Sequence, residues 1–302
     1  MNSPALLHQV GVRAWEWLAA NREHFRPCPG EDNPAEAFKP VGELAMAAAA
    51  LLREGVAGSQ QVADARSLLE FAWNDLLDAG DVLERVQREA PLTSACMEVY
   101  VHFHERGYRN PGLEETLRVV RALRGCSAAE VVPYRKLGIA LAEHQLGLTV
   151  GSDLDGAVRE TLLGRFPEPW TVDRDVAYAI THTVFYLTDW GARPDRVPSM
   201  IADYLDLWLP VWSAECVERR QWDLLGELLA TDACLPEPAL DGASWGGLAA
   251  AQAPDGALPA IGEMPAGDAG EVFELVYHPT LVAAFATTLA TSRVLSALAA
   301  TP

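Results

Sequence analysis

Apolar residues recur along most of the chain at intervals of three and four, the spacing of one helix face. Strict apolar–polar alternation, the mark of a half-buried strand, is nearly absent. The helical runs stop at Gly55, Gly107, Gly147 and Gly191. Glycine at such a stop supplies the left-handed backbone of a helix C′ position. These glycines stand 40 to 52 residues apart, the length of a two-helix repeat.

This rhythm predicts helical hairpins in series: 42–55 with 62–77, 94–107 with 112–125, 134–147 with 153–166, and 175–191 with 198–212. A looser one joins 221–234 to 242–252. Helices over 4–25 and 278–300 remain, and together they make a sixth hairpin. The first helix of each pair is apolar nearly all round, as a helix covered on both sides must be. The second carries charge on one face, as in "GLEETLRVVRALR". The pattern predicts a single all-α domain over 1–302, an (α/α)6 toroid of inner apolar and outer amphipathic helices. An open helical solenoid is the competing arrangement. Residues 235–265, rich in Pro, Gly, Ala and Asp, read as loops around one short helix.

Composition fits a globular chain, with half the residues hydrophobic and 22% charged. A formal charge of −19 argues against nucleic acid and anionic membranes as partners and favours an amine-bearing ligand over a polyphosphate. No apolar run of about 18 residues lacks a polar break, so no membrane span is expected. The first ten residues lack a signal-peptide pattern. Five scattered cysteines, Cys28, Cys96, Cys126, Cys216 and Cys234, read as free thiols of a cytoplasmic protein.

The stretch "DVAYAITHTVFYLTDWG" concentrates the candidate chemistry. Advancing about 100° per residue places Asp175, His182, Tyr186 and Asp189 on one side, with Tyr178 at its edge. Val176, Ile180, Val184 and Leu187 take the other side. Asp175 and Asp189 lie about 10 Å along the axis from His182, so a carboxylate serving this imidazole comes from another helix. Glu98, His102 and Glu105 form a matching stripe in the second hairpin, and Glu98 is the expected partner. Asp175 also suits an N-cap, and Asp189 and Glu105 suit structural pairs with Arg193 and Arg109. Tyr277 and His278 precede Pro279, which suits a helix first turn at a cavity mouth.

The stretch "WGGLAAAQAPDGALP", with Gln252, Asp255, Gly256 and Leu258, resembles a repeat signature of the terpenoid-cyclase and protein-prenyltransferase toroids. "YHPTLVAAFA" resembles the start of an inner helix in the same group. The resemblance implies architecture. The aspartate-rich motifs of those cyclases and of metal-dependent terpene synthases are missing. Asp232, Cys234 and His278 imitate the order of the prenyltransferase zinc ligands, but the first two run into "LPEP". "THTVFYLTDWG" also looks like uncharacterised actinobacterial proteins found with natural-product pathways, which implies a pathway enzyme acting on a small or carrier-tethered intermediate.

The resulting expectation is metal- and cofactor-independent cyclisation, displacement or elimination. His182 acts as base or acid, and Glu98 or Asp189 tunes it. His102, Tyr178, Tyr186, Tyr277 and His278 contact the substrate, and Asp175 or Asp255 holds an amine. A non-catalytic toroid binding a small pathway protein or a second copy is one alternative. A carbohydrate-active toroid with paired carboxylates is another.

Overall fold

A computed structural model describes residues 4–27, 33–148 and 154–300. Cys28 and Asp153, both used in the sequence reading, lie outside them. The described residues are helical with no strand. The α-helices are α1 (Pro4–Ala20), α2 (Pro34–Glu54), α3 (Ser59–Phe71), α4 (Asp81–Glu89), α5 (Ala95–His104), α6 (Pro111–Arg121) and α7 (Arg124–Ser127). They continue as α8 (Pro133–Gln145), α9 (Leu154–Glu160), α10 (Arg174–Leu187), α11 (Ser199–Arg219), α12 (Trp222–Ala233), α13 (Gly242–Ala251) and α14 (Ala269–Ala300).

The predicted stops hold for a local reason. Gly55, Gly107, Gly147 and Gly191 all have positive φ, where a side chain would strain the backbone. At Gly191 a Cβ would also stand 2.9 Å from the Leu289 side chain, so a close approach of two helices adds to the requirement. The helix starts follow the same logic. Asn33, Asn110 and Asp173 cap α2, α6 and α10 by accepting a backbone N–H. Asp173, not Asp175, is therefore the cap of α10, and Asp175 stands exposed in its first turn.

Helix pairing follows the sequence reading in part. α2 packs on α3, α8 on α9, α12 on α13, and α1 on α14. The second and fourth hairpins differ. α6 packs mainly on α4, a short helix that the glycine rhythm passes over, and α11 packs mainly on α12. Helix α4 is strongly charged and begins right after the left-handed Asp78–Gly80 turn, so its apolar signal is only a few residues long.

Burial separates two kinds of helix. All twelve residues of α12 are buried, and α2 is buried all round from Leu44 to Leu51. Helix α11 buries Ile201, Leu205, Leu209, Trp212 and Cys216 along one face only. Contacts link α2–α5, α5–α8, α8–α10, α10–α12, α12–α14 and α14–α2; α8 is the least covered of these six, burying only Leu137, Gly138, Leu141 and Ala142. Their side chains merge into one hydrophobic core.

Helix α14 departs most from expectation. It starts at Ala269, so Pro279 lies inside the helix and not in its first turn. By length and composition it is apolar enough to cross a membrane, yet most of its apolar stretch is buried inside the protein. Its apolar surface is met by α1, α2 and α12. The threonines and serine of "ATTLATS" interrupt the apolar run in sequence but not in the fold. Here Thr280, Thr287 and Thr288 return their hydroxyl protons to carbonyls of their own helix, which lets them be buried.

Candidate active site

Helices α2, α5, α8 and α10 line a cavity of about 360 Å³. Glu36, Lys39 and Glu43 come from α2, Glu98 and His102 from α5, Tyr134 and Arg135 from α8, and His182 and Tyr186 from α10; Trp190 follows α10. The polar stripe of α10 thus does contribute to a cavity wall, through its middle and not its ends.

His182 is fixed through one nitrogen. Its Nδ1 is 3.0 Å from the carbonyl oxygen of Tyr178, one turn earlier. A carbonyl only accepts, so Nδ1 carries the proton, and in the neutral ring Nε2 is left with its lone pair. Glu227 Oε2 stands 3.8 Å from the same Nδ1. A carboxylate near Nδ1 of an imidazole that lines a cavity is an arrangement in which the ring can take a proton at Nε2 and have the resulting charge stabilised. The partner comes from another helix, as the spacing required, but that helix is α12. Glu98, the expected partner, instead accepts a 2.7 Å hydrogen bond from Arg135, which also donates to the Tyr186 hydroxyl at 2.8 Å.

Behind His182 lies a buried charge cluster. Asp223 and Glu227 are one turn apart on α12, and both face His278 of α14, at 3.5 and 3.6 Å from its Nε2. Its Nδ1 meets Glu43 Oε2 at 2.9 Å. Tyr178 donates its hydroxyl to Asp223 Oδ2, and Arg174 stands 3.7 Å from the same oxygen. Asp223 Oδ1 and Glu227 Oε2 are buried without a hydrogen-bond partner. Burial works against the charged form of His278, but the surrounding Glu43, Glu227 and Asp223 overcome it and hold its pKa well above 6.5. Burial likewise pushes the Asp223 carboxyl up. For Glu227 burial is outweighed by His182 and His278, and its pKa falls below the ordinary range.

His102 has a different environment. It is buried against Trp190, 5.8 Å between ring centres, with no carboxylate contact. Burial, helped by the charge of Arg53, lowers its pKa to about 3. It contributes a neutral ring to the cavity wall.

The ends of the stripe serve structure. Asp189 accepts from Gln145 Nε2 at 2.7 Å, and the same amide lies 3.4 Å from Glu105. The expected pairs with Arg193 and Arg109 do not form, because Arg193 pairs with Asp195 and Arg109 with Glu114. Asp189 and Trp190 both have φ of 53°, and the turn is anchored by Arg53 on the Trp190 carbonyl and Arg293 on the Gly191 carbonyl. Two side chains tie the stripes together: Gln145 bridges Glu105 and Asp189, and Arg135 bridges Glu98 to Tyr186 and not to His182. The carboxylates of Glu98, Asp175 and Asp189 do not come together as a pair.

Of the remaining expected contacts, Tyr277 is stacked on Phe273 at 5.2 Å and joins an aromatic cluster with Phe25. Asp255 accepts from the Ala257 amide in an exposed turn. The Gln252 side chain ties that loop down, donating to the carbonyls of Val10 and Gly256. The cyclase-like signature is thus a fastening between helices. Asp232 accepts the backbone amides of Ala239 and Leu240, and burial pushes the Cys234 thiol up to about 12. Among the described residues no group of three or more His, Cys, Asp or Glu is arranged to hold a metal ion.

Three residues of the cluster, Glu43, Asp223 and Glu227, were not singled out from the sequence. A signal exists for two of them. "WDLLGELLATDA" is apolar all round except for its acids, and a carboxylate on a helix covered on every side needs a partner.

Residues 11–288 match the family described as a domain of unknown function (DUF6895), and the chain belongs to that family. No curated protein and no solved structure matches it.

Proposed function

We propose that the protein is an (α/α)6 toroid enzyme whose central cavity performs metal-independent acid/base chemistry on a small molecule. The cyclic order of packing, from α2 through α5, α8, α10, α12 and α14 back to α2, supports the ring. The observation that carries the chemistry is His182: Nδ1 is held by the Tyr178 carbonyl, Glu227 stands 3.8 Å from it, and the residue lines the cavity. The reaction class is an intramolecular cyclisation by displacement, or a related elimination, in specialised metabolism, with a free or carrier-tethered substrate. Nε2 takes the proton of an attacking N–H or O–H as its bond to carbon forms. The imidazolium returns that proton to the leaving group as the old bond breaks, so the enzyme is regenerated. Enclosure contributes by holding nucleophile beside electrophile, worth about 7–11 kcal/mol in favourable cases. Free cysteines at Cys96, Cys126, Cys216 and Cys234 fit the proposed cytoplasmic location.

Histidine-selective acylation with diethylpyrocarbonate, read residue by residue by mass spectrometry, tests this. His182 should react at least about ten times faster than His102 or His278, because nucleophilicity needs an exposed lone pair. Nitrogen-15 NMR should find the neutral ring of His182 protonated at Nδ1. Equal reactivity of the three, or the opposite tautomer, removes His182 as the base.

A further inference from the structure

The cavity has an aromatic side as well as an acid/base side. Tyr134, His182, Tyr186 and Trp190 line it and touch one another in series. The ring centres are 6.0 Å apart from Tyr134 to His182, 6.0 Å from His182 to Tyr186 and 5.5 Å from Tyr186 to Trp190. Successive rings meet at 66°, 70° and 89°. Near-perpendicular neighbours cannot form one flat stack; they turn their faces in different directions, as the walls of a box do.

The charges around this box favour a cation. Glu36, Glu43 and Glu98 line the cavity against Lys39 and Arg135. Glu36 and Lys39 are both exposed at the rim, and Arg135 is paired with Glu98 and the Tyr186 hydroxyl, which leaves Glu43 as the further carboxylate of the wall. Behind the wall, Asp223 and Glu227 add two carboxyl groups around the imidazole of His278, with the largely exposed Arg174 3.7 Å from Asp223. The acceptors that a primary ammonium would need are largely spoken for. Glu43 is bonded to His278, Glu98 to Arg135, and the Tyr186 hydroxyl to Arg135. A primary ammonium brings three donors and a tight hydration shell, and loses both without replacement here. An alkylated ammonium brings no such demand. It is attracted by the negative field and by aromatic faces, the interaction that recognises quaternary ammonium groups elsewhere.

We infer that the cavity binds a small molecule whose cationic nitrogen carries alkyl groups, a tertiary or quaternary ammonium, seated among Tyr134, Tyr186 and Trp190. This rests on the proposed reading that the cavity is the working site, and it narrows the substrate class of that site. It also reassigns the holding of the cation, which the sequence placed on Asp175 or Asp255, to the aromatic rings.

Calorimetric titration with choline, ethanolamine and 3,3-dimethyl-1-butanol at one ionic strength tests it. The first two carry the same charge and differ in nitrogen methylation; the third keeps the shape and drops the charge. Choline should bind about tenfold or more tighter than either, the scale of a desolvated cation–π contact. Tyr134→Leu, at a half-buried position, should weaken choline about tenfold and leave the neutral alcohol unchanged. Ethanolamine binding as tightly as choline, the alcohol matching choline, an unaffected Tyr134→Leu, or no binding of any probe would each overturn the inference. None of these outcomes alters the acylation pattern of His182, so the ligand class and the acid/base reading fail separately.

Discussion

His102 and His182 line the same cavity from different helices, and their surroundings make them different chemical groups. His102 is buried among apolar and aromatic neighbours with only the positive Arg53 near enough to matter, and its pKa drops to about 3. His182 has a carbonyl to fix its tautomer and Glu227 to stabilise a positive ring. A histidine on an inner helix is therefore not informative alone. The element packed behind it decides its electrostatic surroundings, and for His182 that element is α12.

The largest effect expected from breaking this contrast is on turnover. Once a substrate is in hand, His182→Gln should lower the rate roughly 100-fold or more, the scale of general acid/base catalysis. His102→Gln should change it only a few-fold. Comparable losses in both variants would erase the distinction.

Stability comes next. Glu227→Ala leaves His278 facing an incomplete set of carboxylates deep in the fold, and chemical denaturation should report a loss of about 3–5 kcal/mol. Glu98→Gln, breaking a pair with Arg135 that is part-exposed at 33% of the Arg135 side chain, should cost no more than about 1 kcal/mol. A smaller loss at Glu227 than at Glu98 would mean that the buried cluster is not a unit.

The pH dependence sharpens the contrast with opposite signs. His278 has a raised pKa in the fold, so its contribution is fully present below the unfolded value of 6.5 and is lost as pH rises through the folded value. The stability advantage of the wild type over His278→Gln should shrink as the solution is made alkaline. For His102 the folded value lies below the unfolded 6.5, so the wild type loses stability as pH falls from 6.5 towards about 3. His102→Gln should flatten that acid limb. Denaturation curves across pH for both variants check both slopes.

The smallest effect is expected at the other end of α10. Burial disfavours the charged form of Asp189 and outweighs the opposing charge of Arg53. Asn tolerates its left-handed backbone. Asp189→Asn should leave thermal stability within about 0.5 kcal/mol of wild type, on the stabilising side. A large loss would show that the Gln145 bond needs the carboxylate.

How much of the site was legible follows from the kind of signal each residue carries. The stripe of α10 is a property of one helix, so periodicity places His182 and Tyr186 on one face. The distance limit that excludes Asp175 and Asp189 as partners is also a property of one helix. The identity of the actual partner is not, because α12 and α14 meet α10 from distant parts of the chain. Asp223 and Glu227 were visible as acids in an apolar helix, but nothing local says which cation they face. Pro279 misled for a related reason. Proline favours a helix first turn, yet α14 carries it internally, where packing by α1, α2 and α12 supports the helix on both sides of it.

By itself the sequence determined the all-helical class, most of the helices and their glycine stops. These depend on backbone preference and on which side chains water tolerates, both read over a few turns. Only the tertiary structure decided that His278 sits in a carboxylate cluster, that Glu98 belongs to Arg135, and that His182 answers to Glu227. Those outcomes depend on distances of a few ångströms between helices far apart in the chain, where desolvation makes each charge depend on the one partner that reaches it.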